Sequence, residues 1–484
     1  MKINIITLGC SKNIVDSEHI AGHLRKAGFE LFFDGQPTKS SLPDRKGTAL
    51  STAEIKSNPA KNQAIRQSSN HFDIVIVNTC GFIGDAKEES INVLLEQIAI
   101  KKRSHKKRRL IAVGCLIQRY EKELREELPE IDAFYGVHQW PQLVKELTAT
   151  ICPPHSTLTP PSLHLHSPFY LSAERMQSTP KHYAYLKISE GCNRTCSYCA
   201  IPLIRGKHIS RPIEDILGEA QRMVADGVKE IIVIAQDTTY YGLDLYGKRM
   251  LGTLLDRLAT ESGAPWIRLH YTYPSSFPLD AIDVIRRHPN ICNYIDIPLQ
   301  HINSRILNSM QRGIDREGTL KLLEHFRHEL PDVAIRTTLI VGYPGETREE
   351  FEELKDFVRT ARFDRMGCFA YSPEEGTAAY ALPDDVPQEE KDRRVAELMD
   401  LQEQISYEKN LARVGNTYDV LIDRIEGDYL VGRTQYDSPE VDDEVLISSQ
   451  TIRQSDNQAI TPGTFVNVRI TSAQPHDLFG EIVS

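Results

Sequence analysis

Apolar runs in the first third of the chain alternate with stretches of helical periodicity. The strand candidates are Ile3–Leu8, Asp73–Val77 and Leu110–Val113, and the helical stretches are about Asp16–Lys26, about Ala86–Ile100 and the residues from about Gln118. Continuous apolar strands separated by helices indicate a parallel sheet that is covered on both faces. The pattern therefore predicts an α/β domain at this end of the chain.

The middle of the chain repeats the same alternation six times. The strand candidates are Tyr183–Ser189, Glu230–Ala235, Trp266–Tyr271, Tyr294–Pro298, Val333–Val341 and Arg365–Tyr371, and the helical stretches are about Ile213–Ala225, Met250–Thr260, Leu279–Arg287, Ser304–Met310, Gly318–Leu330 and Arg348–Ala361. Six βα units are too few to close on the eight-strand barrel pattern. The sequence thus predicts a partial (βα)6 barrel whose lateral opening could admit a protein substrate.

The last part of the chain changes character again. A charged helix is predicted from about Gln388 to Leu411, and a short β-rich segment with turns at Glu426-Gly427 and Pro462-Gly463 follows it. Closely spaced short strands indicate a small β-barrel of about five strands, a fold that often binds RNA.

These patterns set the expected domain boundaries. We predict an N-terminal α/β domain at residues 1–150, a linker at 151–182, the barrel at 183–412 and the small β-barrel at 414–484. The linker is rich in Pro, Ser, Thr and His. Within the first domain, residues 36–70 are rich in Ser, Thr, Lys, Asn and Pro, which predicts a flexible insertion.

Composition narrows the class of protein. Apolar residues make up 40% of the 484 residues and charged residues 26%, as expected of a globular protein with a sizeable core. Apolar runs are far shorter than the roughly 20 residues that span a bilayer, so no membrane segment is predicted. Nine cysteines, an odd number, in a chain without a recognisable signal predict a reducing cytoplasm.

Three cysteines lie within one loop that follows the first barrel strand. Cys192, Cys196 and Cys199 have the spacing Cys-x-x-x-Cys-x-x-Cys. Three thiolates can hold three irons of a cubane cluster and leave the fourth iron open for a cofactor or substrate. The alternatives are a three-thiolate zinc site or inert thiols, although a closed zinc site requires a fourth protein ligand.

A second set of three cysteines is dispersed in sequence but equivalent in position. Cys10, Cys80 and Cys115 each come just after a predicted strand of the first domain, and each stands beside a glycine. Ligand sites in such sheets lie outside the carboxyl ends of the strands, so we expect the three thiols to converge there. They would form a second three-cysteine cluster site, with ordinary strand-end thiols as the alternative. Cys152, Cys292 and Cys368 are predicted to be inert.

Polar and glycine residues also follow the barrel strands. Gln236 follows the strand candidate Glu230–Ala235. Gly342 and Gly345 follow the strand candidate Val333–Val341, where they could let the backbone approach a bound cofactor. His270 and His301 lie at equivalent positions, and each could be either a functional or a structural histidine.

Charge points to a basic rather than a nucleic-acid partner. The whole chain has a net charge of −10, and residues 414–484 contain four basic and twelve acidic side chains, a net charge of −8. Nucleic-acid affinity depends on Lys and Arg that neutralise phosphate, so an acidic module should repel RNA and attract a basic protein.

The order of these domains and motifs resembles the radical S-adenosylmethionine methylthiotransferase family, in which the C-terminal module is called TRAM. The likeness covers nearly the whole chain apart from the insertion and the linker. Stretches that resemble the branch acting on ribosomal protein S-twelve (uS12) are Leu186–Cys192, Ile201–Gly206, Gln236–Gly242, Arg365–Thr377 and Tyr436–Val441.

The resemblance implies cofactors, ligands and a reaction. Cys192, Cys196 and Cys199 would bind the 4Fe-4S cluster that holds S-adenosylmethionine, and Tyr198 would lie near the adenine. Cys10, Cys80 and Cys115 would bind an auxiliary 4Fe-4S cluster. That branch methylthiolates the β-carbon of one aspartate of uS12, free or in the small subunit, with two molecules of S-adenosylmethionine and an electron donor such as flavodoxin or ferredoxin.

Radical chemistry also explains a missing feature. An aspartate β-C–H bond is not acidic enough for a side-chain base to break, and the sequence offers no obvious general-base constellation. No catalytic residue is therefore assigned beyond the cluster ligands. The alternatives are a transfer RNA adenosine methylthiotransferase, which shares the mechanism, and a non-enzymatic iron–sulfur sensor or ribosome-associated factor.

Overall fold

The computed structural model of the chain describes residues 1–37, 72–104, 107–150, 174–448 and 460–483. It divides into two compact units. Unit 1 comprises Met1–Thr179, Glu190–Asn193 and Ala200–Ile209, and unit 2 comprises Pro180–Ser189, Arg194–Cys199 and Ser210–Ser484. Most of the predicted insertion at 36–70, most of the predicted linker at 151–182, and Cys152 lie outside the described residues.

Unit 1 is built on a six-stranded sheet. Its described elements are β1 (Lys2–Thr7), α1 (Ser11–Lys26), β2 (Glu30–Phe33), β3 (Gln36–Pro37), β4 (Ile74–Thr79), α2 (Gly84–Arg103), β5 (Arg109–Gly114), α3 (Cys115–Glu127), β6 (Ala133–Tyr135), α4 (Trp140–Ala149) and α5 (Ile201–Arg205). The strand order is β3-β2-β1-β4-β5-β6. All neighbouring strands are parallel except β2 and β3.

The central strand β4 shows why its sequence is a continuous apolar run. Ile74 and Ile76 pack into one hydrophobic cluster with side chains of α1 and α4. Val75 and Val77 pack into another cluster, on the opposite side, with side chains of α2 and α3. Because helices cover both faces, every position of the strand is buried. The predicted parallel α/β sheet is confirmed.

Helices α1 and α3 begin earlier than the sequence pattern predicts. Helix α1 starts at Ser11 rather than about Asp16, and α3 starts at Cys115 rather than about Gln118. Buried polar residues occupy the first turn of α1, so its hydrophobic periodicity becomes visible only later. The early starts make Cys10 the N-cap residue of α1 and Cys115 the first residue of α3.

Unit 2 contains an open six-stranded barrel. The strands are β7 (Tyr183–Lys187), β10 (Glu230–Ile234), β11 (Trp266–Leu269), β12 (Ile291–Asp296), β13 (Ala334–Val341) and β14 (Arg365–Ala370), and two short strands, β8 (Ser189–Glu190) and β9 (Ile209–Ser210), flank the loop after β7. The order β14-β13-β12-β11-β10-β7 is parallel throughout and does not close. The predicted partial barrel is confirmed.

Helices cover the outside of this barrel. They are α6 (Ile213–Ala225), α7 (Leu243–Tyr246), α8 (Leu251–Glu261), α9 (Asp280–Arg287), α10 (Ser304–Ser309), α11 (Arg316–Glu329), α12 (Arg348–Ala361) and α13 (Gln388–Leu411). Strand residues such as Ile231, Leu269 and Ile295 pack against them in one large apolar cluster. Within the described ranges, no helix combines the length and apolar composition that crossing a membrane requires.

A closed five-stranded barrel ends the chain, as predicted. Its strands are β15 (Thr417–Glu426), β16 (Tyr429–Arg433), β17 (Glu444–Ser448), β18 (Phe465–Ala473) and β19 (Asp477–Ile482), in the closed order β15-β16-β17-β19-β18. Its own apolar core includes Val420, Leu430 and Val468. Trp266 of the large barrel stacks edge-on against Phe465 with ring centroids 4.9 Å apart, so the two barrels share an apolar contact.

Buried ion pairs join the two barrels of unit 2. Glu230 and Arg268, on neighbouring strands, are both fully buried, and Arg268 Nε donates to Glu230 Oε1 at 2.6 Å. Arg433 of the small barrel also pairs with Glu230, and its Nε lies 3.0 Å from Asp423 Oδ2. Arg365 of β14 pairs with Asp437 and Asp443 of the small barrel.

These ion pairs reduce the acidic charge that the small C-terminal barrel exposes. The side chains of Asp437, Asp442 and Asp443 are at most 4% exposed, because arginines of the large barrel face them. The net charge of −8 therefore overstates the negative charge that the module presents to a partner. These three carboxylates are paired with Arg336 and Arg365 of the large barrel and are not presented to a basic substrate.

Replacing Glu230 with Gln should destabilise unit 2, because Arg268 and Arg433 would lose their shared buried counter-charge. We expect the free energy of unfolding to fall by about 3 kcal/mol, measured by urea unfolding. Glu317→Gln removes an exposed pair with Lys321 and should leave stability unchanged. Equal stability of the two variants would contradict the role given to the buried network.

Candidate functional site

Cys10, Cys80 and Cys115 come together at one edge of the unit 1 sheet. Each follows one of the adjacent strands β1, β4 and β5. A Cβ atom on Gly9 would lie 2.8 Å from Cys80 Sγ, and one on Gly81 would lie 3.0 Å from the carbonyl carbon of Cys115. The glycines beside these cysteines thus allow the three chain segments to approach each other closely. The predicted convergence is what the unit 1 sheet produces.

Burial keeps two of these thiols protonated. Burial, and after it the charge of nearby Cys10, raises the pKa of Cys80 to about 12. Burial also raises the pKa of Cys115, although the Arg205 guanidinium opposes that rise. Cys10 is exposed. Thiolates at this edge of the sheet therefore need a positive partner, which a metal centre would provide.

Side chains that the sequence analysis did not single out organise this edge. Asn13 Nδ2 donates to the carbonyl oxygens of Leu8 at 2.8 Å and Thr79 at 3.2 Å. Asn78 Nδ2 donates in turn to the Asn13 carbonyl at 2.9 Å. Asn13 thereby ties the end of β1 to the end of β4. Hydrogen-bonding partners so distant in sequence leave no local pattern, so only the Leu-Gly-Cys-Ser-Lys-Asn stretch itself could have drawn attention to it.

The loop after β7 carries the second set of cysteines. Cys192 lies in unit 1, where it is buried and its N–H donates to the Gly206 carbonyl at 3.1 Å. Gly191 has φ +79°, and a Cβ there would lie 2.1 Å from the Lys207 oxygen, so this position requires glycine. Cys196 and Cys199 lie in unit 2, where the Cys199 N–H closes a tight turn on the Cys196 carbonyl at 3.1 Å.

A buried arginine contacts the Cys196 thiol. Arg312 Nη1 donates to Cys196 Sγ at 3.3 Å and to the Tyr198 hydroxyl at 3.1 Å. Tyr273 lies between two cations, with Arg194 3.9 Å and Arg312 4.2 Å from its ring centroid. The predicted aromatic position Tyr198 is thus held by a cation beside a thiol. Sequence reasoning missed Arg312, which follows α10 in an otherwise ordinary turn.

Gln236 and the glycine pair have distinct surroundings. Gln236 lies two residues after the end of β10 and is half-buried, and the adjacent Asp237 accepts from Arg194 Nε at 2.7 Å. A Cβ on Gly342 would lie 2.3 Å from Lys391 Cγ. Close approach at Gly342 therefore allows packing against α13, and its role as a contact of a cofactor stays a prediction.

Gly345 is the second glycine of that pair. It has φ +78°, and its N–H donates to Asp385 Oδ1 at 2.7 Å. Its role as a contact of a cofactor stays a prediction.

Both histidines take structural roles. His270 Nε2 lies 3.0 Å from the Ser438 hydroxyl, and its ring stacks on Tyr294. His301 is fully buried and its Nδ1 accepts from the Asn303 N–H at 3.0 Å. Burial lowers the pKa of His301 to about 3, so this imidazole is neutral at physiological pH.

The donor chemistry of the two cysteine sets fits an iron–sulfur centre. Each set offers three thiols, and in each a buried arginine donates to one sulfur: Arg205 to Cys115 and Arg312 to Cys196, both at 3.3 Å. Such donors favour the thiolate form that iron requires. Among the residues that the structure describes, no three His, Cys, Asp or Glu side chains already form a group arranged to hold a metal ion. The two cysteine sets therefore fit an iron–sulfur centre in the type of their donors and in where those donors lie.

Three family models match the chain. Residues 186–358 match the radical SAM superfamily, residues 414–483 the TRAM domain, and residues 52–136 a family described as uncharacterized protein family UPF0004.

Eight relatives that match over nearly their full length share one description, ribosomal protein uS12 methylthiotransferase RimO. The relative from Flavobacterium johnsoniae is 48% identical over 99% of this chain and 98% of its own. That from Bacteroides thetaiotaomicron is 48% identical over 100% of this chain and 98% of its own. The chain belongs to the uS12 methylthiotransferase family. The predicted radical SAM methylthiotransferase is therefore confirmed as the class of enzyme.

Solved structures add support for the fold of this methylthiotransferase. The radical S-adenosylmethionine methyltransferase TsrM from Kitasatospora setae covers 88% of this chain and 79% of its own, with a TM-score of 0.52 and 13% identity. The cobalamin-dependent radical enzyme OxsB covers 83% of this chain and 56% of its own, with a TM-score of 0.50 and 11% identity. At these identities the likeness concerns the fold.

Gly9→Ala should disturb the first set of cysteines, because the new methyl group would collide with Cys80. Gly28→Ala is the matched control, since φ is +87° at Gly9 and +93° at Gly28, yet nothing lies within 4 Å of a Cβ at Gly28. Both variants incur left-handed backbone strain of about 1–2 kcal/mol. Only Gly9→Ala should take up less iron on anaerobic reconstitution. Equal iron content in both variants would show that the thiol position at Cys80 does not matter.

Proposed function

We propose that this methylthiotransferase attaches a methylthio group to the β-carbon of one aspartate of ribosomal protein uS12. The observation that supports this substrate most strongly is the full-length similarity, at 48% identity, to relatives named for uS12. A protein substrate also suits an open barrel whose edge strands do not meet. The charge of the TRAM module is weaker support, because part of it is paired with arginines of the large barrel.

Two 4Fe-4S clusters are assigned to the two cysteine sets. Cys192, Cys196 and Cys199 are the proposed ligands of the cluster that binds S-adenosylmethionine. The ligands of the auxiliary cluster are Cys10, Cys80 and Cys115. Three thiolates in each set would leave one iron open. The supporting observations are the convergence of strand ends in unit 1 and the guanidinium donors at Cys115 and Cys196.

When bound, the clusters and two molecules of S-adenosylmethionine would supply the electron-driven bond cleavage, the sulfur and the methyl group. The chain's own residues would position these groups and exclude water. Arg312 would hold the Cys196 thiolate and the Tyr198 hydroxyl together, since its Nη1 donates to both. Tyr198 and Gln236 are the proposed contacts of S-adenosylmethionine, and Gly342 and Gly345 are further candidates.

The remaining assignments follow from the same proposal. The functional divisions would be residues 1–150 for the auxiliary cluster, 183–412 for radical chemistry and 414–484 for the TRAM module. The electron would come from a low-potential carrier such as flavodoxin or ferredoxin. The substrate would be uS12, free or in the small subunit, which would place the protein in the cytoplasm.

A direct assay separates this function from its alternatives. The full-length protein, reconstituted anaerobically and reduced, would be incubated with S-adenosylmethionine and either a uS12 peptide or transfer RNA. We expect mass spectrometry to find a methylthio group on the peptide aspartate, and none on a peptide with Ala in its place. Modification of transfer RNA alone would refute the proposed substrate. Absence of deoxyadenosine would instead favour a non-enzymatic sensor.

Variants of the enzyme provide the matched control. Cys196→Ala should abolish deoxyadenosine formation, because it removes a proposed ligand of the cluster that binds S-adenosylmethionine. Cys368→Ala removes a thiol that is buried in the core of unit 2 and belongs to neither set, so it should leave deoxyadenosine formation unchanged. Retained cleavage in Cys196→Ala would contradict the ligand assignment.

A further inference from the structure

Arg205 is a buried cation beside the first set of cysteines, and it lies in unit 1 with them. Its Nη2 donates to Asn13 Oδ1 at 2.6 Å and to Cys115 Sγ at 3.3 Å. Its Nη1 donates to Asp16 Oδ2 at 2.7 Å and to Glu190 Oε2 at 3.3 Å. Only 5% of the side chain is exposed. The planar guanidinium thus donates hydrogen bonds to four acceptors at once, which an ammonium group could not do in this geometry.

Asn13 fixes the position of the guanidinium. Its amide nitrogen donates to the carbonyl oxygens of Leu8 and Thr79, so its Oδ1 has to be the atom that faces Arg205. Cys115 Sγ lies 3.6 Å from the same Oδ1. Once Cys115 is a thiolate it can no longer donate to this oxygen. Arg205 Nη2, which donates to both atoms, is then what holds sulfur and oxygen side by side.

The charges around Cys115 require a cation. Asp16 and Glu190 bring two carboxylates to the Arg205 guanidinium, and a Cys115 thiolate would bring a third negative group to it. Cys115 also packs in a small apolar cluster with Val137, Ala200 and Ile204. A buried thiolate in apolar surroundings is costly unless a positive donor pairs with it.

Arg205 reaches this position from a distant part of the sequence. It ends α5, which begins two residues after Cys199 in the chain, whereas Cys115 lies ninety residues earlier. The stretch that carries the cysteines of one set therefore also supplies the cation that contacts the other set.

We propose that Arg205 is a positioning residue of the auxiliary cluster site, where it orients the Cys115 thiolate and offsets its charge. This inference rests on the proposed function, because it takes Cys115 to be a cluster ligand. Hydrogen bonds to the ligand sulfurs and the net charge around a cluster set its reduction potential. Arg205 should therefore make the auxiliary cluster easier to reduce, and the carboxylate of Asp16 should act in the opposite direction.

Reduction potentials measure this role directly. In the full-length chain, Cys192, Cys196 and Cys199 are replaced with Ala so that only the auxiliary site can hold a cluster. After anaerobic reconstitution with iron and sulfide, the midpoint potential is measured by EPR-monitored redox titration. We expect Arg205→Gln to shift the potential to more negative values. Asp16→Asn should shift it to more positive values, because it removes a negative charge and leaves the arginine in place.

Arg211→Gln is the matched control. Arg211 is as buried as Arg205, but it contacts Glu219 and the Lys187 carbonyl rather than a thiol. It should lower thermal stability without moving the potential. An unchanged potential in Arg205→Gln, or shifts of the same sign in Arg205→Gln and Asp16→Asn, would overturn the role of Arg205.

Two further outcomes are also decisive. If Arg205→Gln cannot retain a cluster, the midpoint potential of Asp16→Asn is the deciding measurement. A shift to more positive potential supports the proposal, and an unchanged potential overturns it. If the parent chain with three alanines binds no cluster at all, the proposed auxiliary site itself is refuted. A cluster of unchanged potential in the variants would refute only the role of Arg205.

Discussion

Parallel strands deliver the residues that follow them to the same edge of a sheet, and both sulfur sites of this methylthiotransferase depend on that constraint. In unit 1, the neighbouring strands β1, β4 and β5 are each followed by a cysteine within three residues, and glycines beside the cysteines let the segments approach each other. In unit 2, the loop with Cys196 and Cys199 follows β7 of an open parallel barrel. Cysteines that are far apart in sequence can therefore act together without any local motif.

A thiolate that is buried at these edges needs a positive partner, and arginines lie in position to provide it. The pKa of Cys80 and that of Cys115 are raised by burial, so neither thiol ionises readily by itself. Arg205 donates to Cys115 and Arg312 donates to Cys196, each at 3.3 Å. The same solution recurs away from the sulfur sites, where Glu230 is paired with two arginines of unit 2. At each of these places a buried charge is paired with an opposite one.

Much of the fold could be predicted from the sequence, because continuous apolar strands and amphipathic helices are local signals. All six strands of the open barrel were predicted at their observed positions within a few residues, and α6 and α12 were predicted at their observed bounds. The convergence of Cys10, Cys80 and Cys115 was also predictable, since it follows from strand order. Long-range polar contacts were not predictable. The hydrogen bond from Arg205 to Asp16 joins residues 189 positions apart and produces no periodic pattern in the sequence. For the same reason a charge count cannot show that part of the TRAM module's acidity is paired with Arg365.

The central claim is that the chain carries two independent clusters, each held by three cysteines. The most direct test is an iron and sulfide count on the anaerobically reconstituted chain and on two variants, each with one cysteine set replaced by Ala. The account predicts about eight irons per wild-type chain and about four in either variant. A wild-type content of about four irons, or loss of all iron when one set is replaced, would contradict it.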